Sequence, residues 1–113
     1  MSIQRDFILR MVEALAQAIA RIVTLRKAGQ TREALAEVDR TAGSLLGVDL
    51  GLLEAVGPGP IAARLGHPEQ VEALARLVDE RAALERDRGD EAAASRWAAR
   101  AEGLRAAMPA RRA

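Results

Sequence analysis

Two short stretches decide how this chain folds: Ala28-Gly29-Gln30-Thr31-Arg32-Glu33-Ala34-Leu35 and Arg88-Gly89-Asp90-Glu91-Ala92-Ala93-Ala94. In each, a glycine follows a long run of helix-forming residues. A capping residue and an acid then open a second such run. A glycine just past a helix takes the left-handed conformation without a Cβ penalty, and Thr or Asp at a helix start accepts a bond from an otherwise unpaired backbone N–H. A link of two or three residues leaves the flanking helices no arrangement but side by side, so each stretch predicts an antiparallel helical hairpin.

Working outward from the first turn, Ile8, Met11, Leu15, Ala18, Ile22 and Leu25 recur at helical steps, with Val12, Ile19 and Val23 beside them. Asp6, Arg10, Glu13, Gln17, Arg21 and Thr24 occupy the opposite sector. The apolar sector covers about half the circumference, which is wider than one neighbouring helix usually covers. Thr31 is the expected N-cap of the second helix, whose face carries Leu35, Val38, Ala42, Leu45 and Leu46. Gly47 closes it, and Asp49 can cap a short helix bearing Leu50, Leu52, Leu53 and Val56.

Gly57-Pro58-Gly59-Pro60 then reads as a break, with at most one turn over 61–66. Pro68 suits the first position of a helix to about Arg88. Its rows are Val71, Leu74, Ala75, Val78 and Ala82, flanked by Leu77 and Leu84. Asp90 opens the last helix, with Ala93, Trp97, Ala101, Leu104 and Met108 on a narrow stripe that predicts a buried Trp97 ring. The expected architecture is all-α: five helices in two antiparallel hairpins, with a short irregular helix and the GPGP segment between them. Residues 1–108 form one domain and 109–113 a fraying tail.

Composition agrees. The 113 residues include 25 Ala and 14 Leu, one Phe, one Trp, no Tyr and no Cys. That excludes disulfides and thiolate metal sites, and one histidine excludes His-pair sites. Seventeen basic residues against sixteen acidic ones leave a formal net charge of +1, too small a field to steer nucleic acid. Arg76, Arg81, Arg86, Arg88, Arg96, Arg100 and Arg105 interleave with acids, as solvated faces do, and no aromatic platform accompanies them. No apolar run is long enough to span a membrane, and no signal peptide is evident, so the expected location is the cytoplasm.

Gly89-Asp90 followed by Ala94, Trp97, Ala101 and Leu104 resembles the tetratricopeptide pattern around a helix start. With Arg5 through Glu13 and the Ala28–Leu46 segment, nearly the whole chain is similar to a family of small bacterial proteins with tetratricopeptide-like helical hairpins. The resemblance implies a fold and brings no activity to named residues. The chain departs from the tetratricopeptide pattern in having two hairpins, which puts a continuous peptide groove in doubt.

Few residues suggest chemistry. His67, between Gly66 and Pro68, reads as a loop residue rather than a base or ligand. Glu33 with Glu37, Glu69 with Glu72, and Asp79, Glu80 and Glu85 read as members of ion pairs such as Glu72–Arg76 and Glu85–Arg88. The interleaved prolines remove the donors that a phosphate loop at Gly57 and Gly59 would need. The expectation is therefore a non-enzymatic interaction or scaffold module without catalytic residues, metal or cofactor. It would self-associate as a homodimer through the wide face of the first helix: Ile3, Phe7, Ile8, Met11, Leu15, Ile19 and Ile22. The alternatives are a regulatory or nucleic-acid-associated protein using its arginine faces, and a ligand or enzyme site near His67.

Overall fold

The computed structural model describes residues 3–109, with side chains from Arg5 onward. Among these residues the chain is all-helical: α1 (Ile3–Lys27), α2 (Thr31–Leu46), α3 (Leu50–Val56), α4 (Pro58–Leu65), α5 (Pro68–Asp87) and α6 (Glu91–Ala106).

The two turns that open the sequence argument have the same hydrogen bonds, sixty residues apart. Gly29 N–H donates to the Arg26 carbonyl and Gln30 N–H to Leu25, at 3.0 and 2.9 Å. Gly89 donates to Arg86 and Asp90 to Glu85, both at 2.9 Å. Both glycines have positive φ, +76° and +85°, which this six-to-one closure requires. The residue after each glycine serves two helices at once, ending one and capping the next. At Gln30 no side chain caps α2, and Thr31 is already its first helical residue, so the expected Thr31 cap is corrected by one position. At Asp90 the side chain does cap, accepting from Ala93 N–H at 3.0 Å. Asp90→Ala is expected to cost about 1 kcal/mol in a urea titration, the usual value of such a cap.

Among the described residues there are six helices where five were expected, because Gly57-Pro58-Gly59-Pro60 starts a helix instead of breaking the chain. Pro58 takes the first position of α4 and Pro60 the third. The first-turn N–H groups of a helix have no internal acceptor, so a proline there forfeits nothing and its fixed φ suits the helix. Ile61 and Ala62 are then buried.

α1 packs on α2 and α5, α2 also on α5, α5 on α6, and α4 on α6. The core is one cluster running from Ile8 to Leu104. All seven apolar positions expected on the helix beginning at Pro68 are buried, as are Ala93, Trp97, Ala101 and Leu104 on α6; Met108 is half-buried. Pro109 follows the end of α6, and residues 110–113 of the expected tail lie outside those described.

Candidate functional site

Two surfaces can be built from these elements: the outer flank of α1 and a cleft over Trp97.

Of the residues expected to form an interface, Ile8, Met11, Leu15, Ile19 and Ile22 are buried in the chain's own core. This is a correction in placement: the face is wide, but α2 and α5 together cover most of it, so these five are not available to another chain. Phe7 is half-exposed, and the Ile3 side chain lies outside the described residues. What α2 and α5 leave uncovered is the next sector round the helix. Leu9 is 52% exposed and Val12 41%. Ala16 and Ala20 are exposed, and Val23 is half-buried. Leu9 was not read from the sequence, yet a signal existed. Leu9, Val12, Ala16, Ile19 and Val23 follow at steps of three, four, three and four, the spacing of a coiled-coil seam. The row beside them, Ile8, Leu15 and Ile22, already belongs to the core. Leu52 and Val56 on α3 are the other large apolar side chains exposed among the described residues.

The cleft has a volume of about 660 Å3 and is lined by α2, α3, α5 and α6, with Trp97 and Arg81 in its wall. The Trp97 ring lies between two guanidinium groups, Arg81 at 4.8 Å and Arg100 at 5.1 Å from its centroid. Carboxylates hold both cations. Arg81 reaches Asp39 at 3.4 Å and Glu85 at 3.2 Å, and Arg100 reaches Glu54 at 3.6 Å. His67 is not part of this cleft; it occupies the N-cap position of α5 in extended backbone.

Of the carboxylates weighed as acid–base groups, Glu37, Glu72, Asp79, Glu80 and Glu85 face arginines, whereas the expected ion pairs of Glu33 and Glu69 do not form among the described residues. Glu37 is buried; its Oε2 accepts from Arg21 at 2.9 and 3.1 Å, and Arg40 faces its Oε1 at 2.8 Å. Glu85 is buried between Arg81 and the expected partner Arg88, at 3.2 and 3.1 Å. Glu72 differs from expectation: its partner is Arg105 on α6, through two bonds of 3.2 and 3.0 Å, not Arg76 one turn away. Arg105 also donates to Asp79 at 2.9 Å. The bonds to Glu72 and then Asp79 hold this guanidinium above the ordinary arginine pKa. Among the described residues no three of His, Asp or Glu gather as a metal would need.

Of the seven arginines weighed as a nucleic-acid surface, Arg81, Arg86, Arg88, Arg100 and Arg105 face carboxylates. Phosphate would have to displace those partners, which removes most of the counterion-release gain that drives such binding. No helix among the described residues is long and apolar enough to cross a membrane. Compared with protein-family models, curated proteins and solved structures, the chain has no match in any of the three.

Proposed function

We propose that this protein is a non-enzymatic interaction module of two antiparallel, tetratricopeptide-like hairpins, α1–α2 and α5–α6, joined by α3 and α4. The duplicated turn at Gly29 and Gly89 supports the paired-hairpin reading, since the same closure recurs with a buried alanine, Ala34 and Ala94, at the same point of the next helix. The observation that carries the functional reading is the exposed apolar flank of α1. Large aliphatic side chains on the rigid face of a long helix are a standing incentive to bury them against another protein. The arginine-bound carboxylates leave little for proton transfer, which favours a surface over a reaction.

A photo-crosslinking amino acid at Val12 tests this in the native cell. The expected result is a discrete protein adduct at position 12 and none from the same group at Glu102, which is exposed on α6. Equal, diffuse labelling at both positions, or no adduct at position 12, would overturn the reading.

A further inference from the structure

We infer that the partner on the α1 flank is a second copy of this chain, its α1 lying antiparallel to the first. This rests on the interaction reading above and adds the occupant and its orientation. Of the row Leu9, Val12, Ala16, Ile19 and Val23, Ile19 is buried in the chain's own core, so the seam open to a partner is Leu9, Val12, Ala16 and the outer edge of half-buried Val23; it is bordered by two other rows of seven-residue period. On one side are the core residues Ile8, Leu15 and Ile22. On the other are Asp6, Glu13, Ala20 and Lys27, all exposed. This outer row is acidic at its N-terminal end and basic at its C-terminal end. Asp6, Glu13 and Lys27 make no ion pair with any described residue, in a chain where most other charged groups on the helices do.

Charge selects the orientation. In antiparallel helix pairs, outer rows of the same kind face each other. With the two-fold axis between Ala16 and Gln17, Asp6 of each chain meets Lys27 of the other. Glu13 then meets Ala20, so no like charges oppose. The helix dipoles also align favourably, head to tail. A parallel pair would instead set the acids of each outer row against the row of core residues on its partner and leave Lys27 unmatched. Small Ala16 beside the axis lets the helices approach closely, with Leu9 packing toward Val23 at each end. From Leu9 to Val23 the seam spans about 21 Å of α1.

The chain has no cysteine, so introduced thiols report without background. Under mild oxidation at tens of micromolar, Ala16→Cys is expected to give a disulfide-linked dimer. Leu9→Cys alone is not, because its two copies lie about 22 Å apart along the antiparallel axis. A mixture of Leu9→Cys with Val23→Cys is expected to give a mixed dimer. Because these positions are partly exposed, far-UV circular dichroism should stay unchanged. Asp6→Lys is expected to weaken the dimer about tenfold by sedimentation equilibrium, since both symmetry-related contacts become repulsive, and adding Lys27→Asp should restore it. Self-linking of Leu9→Cys would overturn the antiparallel order. A monomeric mass at that concentration would overturn the second copy altogether. If the Val12 probe then still links a different protein in the cell, the interaction module stands without self-association; if it links nothing, both readings fall.

Discussion

Trp97→Ala is expected to lower stability by about 3–5 kcal/mol, the range for removing a large ring from a true core. Trp97 is 4% exposed at the junction of α6 with α5, next to the cleft floored by the α2–α3 link. Its neighbours on the α6 stripe are alanines, Ala93 and Ala101, too small to close over the space the indole would vacate. Arg81 and Arg100 stand over the ring, and each is anchored by its own carboxylate, so neither swings in to fill the gap. They would also lose their cation–π contacts. For a chain of this length the loss corresponds to roughly 12–20 °C in melting temperature. Trp97 is the only Trp and there is no Tyr, so the variant must be followed by circular dichroism rather than fluorescence. A loss under about 1 kcal/mol would mean that the ring sits over the cleft as a surface side chain, contrary to its burial. Trp97→Phe is expected to recover more than half of the loss, separating ring packing from the contribution of the indole.

Helix boundaries were readable wherever a local rule decided them. Gly29, Gly47 and Gly89 end helices because only a residue tolerant of positive φ closes those turns, and the sequence places each at the end of a periodic run. Pro58 and Pro60 misled because a proline signals either a break or a first turn, and the choice depends on whether Ile61 and Ala62 find a surface to bury against. That surface includes α6, which begins thirty residues after Ile61. Ion pairs divided the same way. Glu85–Arg88 is local and was foreseen, whereas Glu72 takes the distant fork of Arg105, whose two parallel donors outdo a single contact with Arg76. On α1 the periodicity correctly showed a face too wide for one neighbour. It did not show which edge the neighbours would leave open. α2 and α5 took Met11, Ala18 and Ile22, so the uncovered sector is Leu9, Val12 and Ala16 rather than the centre of the face.

Two glycines in helix interiors should respond to the same kind of change with opposite signs. Gly43 lies in α2, and a Cβ there would meet nothing within 4 Å. Gly43→Ala therefore gains helix propensity without a steric cost and is expected to stabilise the fold by about 0.5–1 kcal/mol. Gly103 lies in α6 beneath the first turn of α4. A Cβ there would come within 2.6 Å of Pro58 Cγ and 3.3 Å of its Cβ. The pyrrolidine ring is tied to the α4 backbone at both ends, so it cannot rotate away as a flexible side chain would. Relief requires α4 to move off α6, which uncovers Ile61 and Ala62 from the core. Gly103→Val, with two carbons beyond the Cβ, is expected to cost about 2–3 kcal/mol in chemical denaturation despite the better helix propensity of valine. Gly103→Ala should fall between, the propensity gain offsetting part of the clash. If Gly103→Val were neutral, α4 would be free to shift on α6, and the Pro58–Gly103 contact would not be what sets their separation. If both glycine variants destabilised equally, helix propensity rather than close approach would have to be rejected as the deciding effect at Gly43. Stabilisation by Gly43→Ala together with destabilisation by Gly103→Val would locate the α4–α6 contact as the point where backbone approach, not side-chain burial, fixes the fold.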